Sequence, residues 1–272
     1  MNIFTSINWD NFYKSLLNKN MKIIVIIPAR SGSKSLPNKN ILPLNGKPLI
    51  YYSISYALKS EIVDKVIVST DSDEYAEIAR NYGADVPFIR PATISTDDSR
   101  DYSFMRHALD YYDSIDKIFD IYILLRPTSP LRPNGLIERS IDILNKNPKA
   151  TSVRAVARVN EHPYRVLGIN KDGSISSFVK DIHEPYNFPR QELPEAFFMT
   201  GDIEAARRQT LLNGSVSGEN MFPIIIKPEE KIDIDHIDDF KIAEEKLKNL
   251  WYFSKSIDSK FKVIIFINDK DF

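Results

Sequence analysis

Residues 23–40, IIVIIPARSGSKSLPNKN, decide the fold, because an apolar run stops there abruptly and a small, basic segment follows. The continuous run of mainly β-branched residues predicts a strand that is buried on both faces, as parallel strands between helices are. Pro28 ends this strand. The next eleven residues hold one Gly, three Ser and three cations. That composition suits close approach of the backbone to a polyanion.

Strands and helices alternate after this segment. The apolar patterns predict strands over 65–71, 86–89, 121–125 and 222–226, and helices over 48–59, 73–82, 104–111, 136–144 and 237–250. This order indicates an α/β fold with an open, doubly wound, mostly parallel sheet. In such sheets ligands bind beyond the carboxyl ends of the strands. Here those ends lead into the basic loop, Ser69–Asp71, the loop at Arg90 and the turn at residues 126–133.

We predict one large domain over 21–250, preceded by an appendage at 1–20 and followed by a tail at 251–272. The tail holds an apolar run at 261–267 that could form an edge strand. Between about 150 and 200, short alternating runs are broken by Pro and Gly, which predicts an antiparallel insertion outside the main sheet. Such insertions often supply a partner surface or a lid, and a purely structural flap is an equal alternative.

Composition excludes several classes of protein. The 272 residues include 36 Lys and Arg against 37 Asp and Glu, so the charge favours neither nucleic acid nor an anionic membrane as a partner. The absence of Cys excludes disulfides, thiolate zinc sites and Cys nucleophiles, and is compatible with a reducing cytoplasm. No run approaches the roughly 18 apolar residues of a membrane span, and residues 1–20 do not resemble a signal peptide. We therefore expect a cytoplasmic protein.

The basic loop is the first candidate site. Arg30, Lys34 and Lys39, with the amides near Gly32, could hold a triphosphate by neutralising charge on a leaving pyrophosphate. A solvated loop with incidental charges is an equal alternative on composition. A P-loop is excluded, because Ser33 separates Gly32 from Lys34 and the motif's earlier Gly is missing.

Carboxylates form the second candidate site. Asp233 and Asp235 flank Ile234, and on a strand two such side chains project to the same side, where they could hold Mg²⁺. From spacing alone, Asp235 is better explained as a cap of the helix that starts near Ile237. Asp71 follows a strand and is likewise predicted to be the N-cap of the next helix.

Three further groups are polar. Thr128, Ser129 and Arg132 follow a strand, where they could grip a substrate carboxylate, although a structural Pro-rich turn is nearly as good an explanation. His162 and the Arg190–Gln191 pair lie in the insertion, and alone they would be interpreted as surface residues.

Together the motifs resemble the acylneuraminate cytidylyltransferases, or CMP-sialic acid synthetases. The resemblance is carried by residues 27–34 (IPARSGSK), 36–40 (LPNKN), 68–71 (VSTD), 90–91 (RP), 127–132 (PTSPLR), 189–191 (PRQ) and 232–235 (IDID). It covers roughly residues 21–248 in the family's order. It implies a Rossmann-like nucleotidyltransferase fold and transfer of CMP from CTP to the anomeric hydroxyl of a nonulosonic acid, for a surface glycan. Alternatives are another nucleotide, a non-sialate acidic sugar, or a non-catalytic sugar-nucleotide-binding protein on the same fold.

The resemblance also implies roles for individual residues. Those implied in catalysis are Arg30, Lys34, Lys39, Asp233 and Asp235, with Mg²⁺ on the two carboxylates. Those implied in nucleotide binding are Arg30, Ser33, Lys34, Lys39 and Asn40 at the triphosphate and ribose, and Arg90, Ser99 and Asp101 at the cytosine. Those implied at the sugar are Arg126, Thr128, Ser129, Arg132, His162, Arg165, Arg190 and Gln191. The insertion matches the family's dimerisation region, which implies a homodimer whose sugar sites are each completed by the other subunit.

The sequence departs from the family pattern at four places. Ser35 replaces a Gly in the basic loop, Arg126 a Gln near the sugar, and Asp101 a small polar residue near the base. Thr200-Gly201-Asp202 stands where Asn-Gly-Ala is usual. Because a pocket built for polar contacts discriminates strongly between substrates, these changes leave the identity of the sugar open.

Overall fold

The structure is a computed structural model that describes residues 21–230 and 232–258. The predicted appendage at 1–20 and the apolar run at 261–267 lie outside the described residues. The strands are β1 Ile23–Pro28, β2 Pro43–Leu44, β3 Lys47–Pro48, β4 Lys65–Ser69, β5 Ile121–Leu124, β6 Ser152–Arg158, β7 Leu167–Ile169, β8 Ile175–Ser177, β9 Phe197–Arg207 and β10 Met221–Ile226. The α-helices are α1 Leu49–Leu58, α2 Asp73–Asn81, α3 Asp101–Ser114, α4 Leu136–Lys146, α5 Arg208–Leu212 and α6 Ile237–Asp258.

Six strands form the main sheet in the order β10-β6-β9-β5-β1-β4. Five of them share one direction, and β9 runs antiparallel between β6 and β5. Strand β1 pairs with β5 on one side and with β4 on the other, with Ile24 opposite Tyr122 and Lys65. The predicted mostly parallel sheet is therefore confirmed.

Alternate residues of β1 enter two different cores. Val25 and Ile27 pack in the cluster that includes residues of α1, α2 and α4, whereas Ile24 and Ile26 pack with residues of α3 and α5. Each fully buried Val or Ile side chain contributes about 1.5–3 kcal/mol of transfer free energy, so this strand anchors both layers. Helices on both faces confirm the doubly wound arrangement.

The structure departs from the sequence prediction at three places. The segment 86–89 forms no regular strand, because Pro87 lacks an N–H donor; only an isolated bridge joins the neighbouring Asp85 to Ile67. Strand β6 was expected in the insertion, but it pairs within the main sheet. The excursion from the sheet is thus narrower, over 159–196, and contains the β7–β8 hairpin. Helix α6 continues past the expected domain end to Asp258.

One edge of the sheet gathers the carboxyl ends of β4, β1 and β5. Strand β9 runs antiparallel to β5, and its Glu204 lies opposite Leu124, the last residue of β5. The residues of β9 that precede Glu204 therefore lie at this same edge. Residues 200–202 are therefore brought beside the turn that follows β5. Among the described residues, no helix combines the length and the apolar character needed to cross a bilayer.

Candidate active site

The basic loop is fixed to the end of β4 by Asp71. One carboxylate oxygen of Asp71 accepts a hydrogen bond from the Ser31 backbone N–H at 2.8 Å, and the other accepts from the Ser31 hydroxyl at 3.2 Å. The N-cap of α2 is instead Ser72, whose hydroxyl accepts from the Tyr75 N–H at 3.3 Å. The prediction that Asp71 caps this helix is therefore wrong. Asn40 fixes the loop's other side by donating to the Arg30 carbonyl at 3.0 Å.

Two loop cations converge on Asp97, a residue that the sequence did not single out. Arg30 Nη2 lies 2.6 Å from one oxygen of Asp97, and Lys34 forms an ion pair with the other oxygen. The hydrogen bonds from Lys34 and then Arg30 lower the pKa of Asp97 below its usual value. Ser99 lies two residues further on, where its hydroxyl accepts from the Thr96 N–H at 2.9 Å.

Arg90 is a buried cation with unused donors. Its side chain lies over the Phe104 ring, 5.4 Å from the ring centroid, and the residue is 4% exposed. Within the described part of the chain, its Nε and Nη2 atoms are buried without a hydrogen-bond partner. Burial is the main cause that lowers the pKa of Arg90 to about 10. Because buried polar groups are normally hydrogen-bonded, these donors suit a ligand acceptor, such as a base carbonyl.

Lys39 joins the basic loop to the carboxylate pair. Its buried Nζ donates to the Ile234 carbonyl at 2.9 Å and lies 3.4 Å from Asp235 Oδ1. The Ile234 N–H in turn donates to the Thr128 carbonyl at 2.8 Å. These contacts bring together three predicted site segments that are far apart in the chain.

The segment that carries Asp233 and Asp235 is not part of a strand, so the predicted strand at this position is absent from the described residues. Ile232 and Ile234 are buried, whereas Asp233 is half-buried and Asp235 is exposed. The backbone N–H groups of residues 235 and 236 donate to Asp239 Oδ2, at 3.0 and 2.8 Å, so Asp239 supports the start of α6.

The donor set of this pair fits Mg²⁺. Within the described residues, Asp233 accepts no hydrogen bond, so its oxygens can serve as ligands. Mg²⁺ prefers oxygen ligands and usually keeps several waters beside one or two carboxylates and substrate phosphates. The described residues contain no cluster of three or more His, Asp or Glu that could hold a metal. An ion on these two carboxylates would complete its shell with water and substrate.

Arg132 donates three hydrogen bonds inside the protein. Its Nε donates to the Asp202 carbonyl at 2.6 Å, its Nη1 to the Ser53 hydroxyl at 3.0 Å, and its Nη2 to the Arg126 carbonyl. The residue is 8% exposed. These contacts favour a structural role over the predicted grip on a sugar carboxylate.

Residues 200–202 pack closely against the turn after β5. A Cβ atom at Gly201 would lie 2.7 Å from the Ser129 hydroxyl and 3.3 Å from Arg126 Cδ, so any larger residue there would force these side chains to move. Asp202 is buried, which raises its pKa, while Thr200 and Arg132 act in the opposite direction.

Two of the residues that depart from the family pattern, Asp101 and Arg126, contact each other. Arg126 Nη2 donates to Asp101 Oδ2 at 2.5 Å. Asp101 is the first residue of α3, and Arg126 follows β5. This pairing could not be inferred from the sequence, where the two residues were assigned to different substrates.

The excursion residues form a separate group. His162 contacts the Pro194 carbonyl at 2.9 Å, and Arg165 donates to the Phe188 carbonyl at 3.4 Å. Arg190 and Gln191 lie in an exposed 3-10 turn. Among the described residues, no hydrogen bond or ion pair joins these four side chains to the basic loop or to the carboxylate pair.

The sequence matches the family model described as Cytidylyltransferase over residues 24–187, more than half of the chain. The chain belongs to the cytidylyltransferase family. It is therefore a nucleotidyltransferase enzyme. The sequence is 39% identical over 223 residues to an N-acylneuraminate cytidylyltransferase of Escherichia coli O18:K1:H7, covering 82% of the chain and 51% of that protein. The chain thus spans about half the length of this relative.

Other cytidylyltransferase relatives match along nearly their whole length. The CMP-N,N'-diacetyllegionaminic acid synthase of Legionella pneumophila is 33% identical, over 84% of the chain and 97% of that protein. The pseudaminic acid cytidylyltransferase of Campylobacter jejuni is 30% identical, over 82% and 95%. A solved CMP:2-keto-3-deoxy-manno-octonic acid synthetase, complexed with CTP, shares the fold with a TM-score of 0.63 at 20% identity, over 84% of the chain and 99% of that structure.

Proposed function

We propose that this cytidylyltransferase transfers CMP from CTP to the anomeric hydroxyl of a nonulosonic sugar acid and releases pyrophosphate. The activities for which the relatives are named support a CMP-sugar acid as the product. The observation that carries the proposal is the contact between Lys39 and the Ile234–Asp235 segment. It holds a loop of cations beside two carboxylates, as transfer of a nucleotidyl group requires.

The residues act by position and charge. In the transfer, the anomeric oxygen bonds to the α-phosphorus, the bond to the β-phosphate oxygen breaks, and the hydroxyl proton is released. This chemistry needs alignment and charge neutralisation more than a protein nucleophile. Arg30, Lys34 and Lys39 would neutralise the departing pyrophosphate, and Arg90 would donate its free N–H groups to the base. Asn40 would hold the loop through the Arg30 carbonyl.

Mg²⁺ is the cofactor we propose for Asp233 and Asp235. Bound there, the ion would draw charge from the phosphates and acidify the attacking hydroxyl. Asp233→Asn should abolish both turnover and the calorimetric Mn²⁺ binding that is measured in the presence of CTP, while the far-UV circular dichroism stays that of the parent. Normal turnover in this variant would refute the metal assignment.

The sugar and the nucleotide are tested together. Pyrophosphate release should be measured with CTP, UTP, ATP and GTP against a panel of nonulosonic and octulosonic acids. Thermal stabilisation by each nucleotide with Mg²⁺ gives an independent measure of binding. We expect both signals with CTP and release with at least one nonulosonic acid. Release only with another nucleotide or with an octulosonic acid would favour the alternative substrates. If no nucleotide gives either pyrophosphate release or thermal stabilisation, the proposal is refuted.

We also propose a homodimer formed through the excursion. Large apolar side chains are exposed there, at Ile169 (82%), Ile175 (65%) and Phe178 (66%). Exposed apolar patches of this kind mark interaction sites. Light scattering after gel filtration should give twice the mass of the chain, and Ile169→Glu should shift it towards the monomer; a parent that is monomeric at micromolar concentration contradicts the proposal. The expected cytoplasmic location, without nucleic-acid or membrane partners, stays a prediction.

A further inference from the structure

Asp101 and Arg126 form an ion pair at the edge of the sheet where substrates are expected. Their contact measures 2.5 Å, and their side chains are 37% and 28% exposed. The family resemblance assigns Asp101 to the base and Arg126 to the sugar. A carboxylate that accepts from a guanidinium has less capacity left to recognise a base. Arg90, by contrast, keeps two buried donors without a partner in the described chain.

Arg126 is held at three points. Its carbonyl accepts hydrogen bonds from Arg132 Nη2 and from the Ser53 hydroxyl, the latter at 3.3 Å. Its side-chain stem lies against Gly201, where a Cβ atom would come within 3.3 Å. Asp101 then fixes the guanidinium end. A long side chain held in this way is preorganised for a ligand.

The remaining donors of Arg126 are available. In the described part of the chain, its Nε and Nη1 atoms donate no hydrogen bond, and the side chain is partly open to solvent. The nearby Glu204 does not compete for them. It already accepts from Arg154 Nη2 at 2.6 Å and from the Ser217 hydroxyl at 2.9 Å. The free face of the guanidinium therefore suits a carboxylate or another acceptor of an acidic sugar.

We propose that Asp101 and Arg126 act as one sugar-selecting unit, in which Arg126 donates to an acceptor group of the sugar acid and Asp101 is its positioning residue. This inference rests on the proposed function. It moves Asp101 from the base to the sugar, and it predicts that the two residues depend on each other.

The test is a double-mutant cycle with separate readouts for the two substrates. Asp101→Asn should raise the KM for the accepted sugar acid about tenfold, the order expected when one charge-assisted hydrogen bond is misaligned. The calorimetric Kd for CTP should stay within about twofold of the parent, because the base site is untouched. Arg126→Gln should raise the same KM at least as much, and adding Asp101→Asn to it should change nothing further.

Controls separate this role from folding. Asp110→Asn lies on the same helix and breaks only the surface pair with Arg106, whose contact is 2.7 Å, so all parameters should match the parent. Asp101→Glu keeps the carboxylate and should recover part of the lost affinity for the sugar. If Asp101→Asn lowers the melting temperature, the sugar KM of Asp101→Glu is compared with that of the parent instead, and this comparison tests the positioning role.

Three results would overturn the inference. A tenfold weaker CTP Kd in Asp101→Asn, with an unchanged sugar KM, would return Asp101 to the base. Additive effects of the two substitutions would show that the residues act independently. A parent that binds CTP but turns over no sugar acid would instead show that the proposed function is wrong, and the inference would fall with it.

Discussion

Removal of the Lys39 ammonium tests whether the two halves of the site are held together as the structure indicates. Lys39 is the only described residue whose side chain contacts both the Ile234 carbonyl and Asp235. In Lys39→Met the apolar stem is kept and the donor is lost. The Ile234 carbonyl would then lack its buried partner.

The magnitude follows from the two contacts. A hydrogen bond from a charged donor contributes about 1.5–3 kcal/mol. The 3.4 Å contact with Asp235 contributes less, because the Asp235 side chain is 66% exposed and such pairs are worth about 0–1 kcal/mol. We therefore expect Lys39→Met to lower the free energy of unfolding by about 2 kcal/mol. For a domain of this size, this corresponds to a fall of about 4–8 °C in melting temperature.

The assay is thermal unfolding of the parent, Lys39→Met and the matched control Asp235→Asn. The control removes the carboxylate charge and leaves the Ile234 contact, so its melting temperature should change by less than about 4 °C. Lys39→Met should also weaken CTP binding. A melting temperature within about 1 °C of the parent, or an equal fall in both variants, would refute the reasoning that the buried contact dominates.

Three further outcomes are expected. Asp97→Asn should tighten CTP binding severalfold by calorimetry, since any polyphosphate held by Arg30 must compete with the Asp97 carboxylate; unchanged or weaker binding would contradict this. Burial lowers the pKa of His107 below its usual 6.5, so the unfolded chain binds the proton more readily and stability should fall as pH drops below about 6.5. In His107→Gln, urea unfolding between pH 5 and 7 should show a smaller fall, and an identical profile would exclude His107 as the cause. Gly201→Ala should cost about 1–3 kcal/mol through its clash with Ser129, and an unchanged denaturation midpoint would rule out that packing.

The strands of the first half could be predicted because a strand buried on both faces leaves a continuous, mainly apolar run. Strands β1, β4 and β5 have this pattern, and all three form. Strand β6 alternates instead, as a strand of a small hairpin would. Its partner β9 lies some forty residues away and returns antiparallel into the sheet. Local pattern carries no information on such distant pairing.

The composition of the basic loop predicted its chemistry but not its supports. An Asp after a strand can cap the next helix or accept from a neighbouring loop, and the choice depends on tertiary position. Ser72 is an equally good cap and accepts from the helix, so Asp71 can accept hydrogen bonds from Ser31 instead. Asp97 had only a weak sequence signal, namely an acidic residue in a loop that carries Arg90. Its partners Arg30 and Lys34 lie in the basic loop, and only the fold brings that loop beside Asp97.

Two departures from the family pattern, Arg126 and Asp101, are interpreted differently once their contact is known. Considered singly, Arg126 adds a positive charge to the sugar pocket and Asp101 adds a negative one. Because the two charges neutralise each other at 2.5 Å, the pocket keeps its net charge and gains a donor of fixed direction. Sugar preference should therefore differ from that of relatives with Gln at this position, while the ionic-strength dependence of the sugar KM should not. Asp101→Asn leaves the cation unpaired, and its sugar KM should rise more steeply with salt than that of the parent. Equal salt dependence of the two enzymes would mean that Asp101 does not balance this charge.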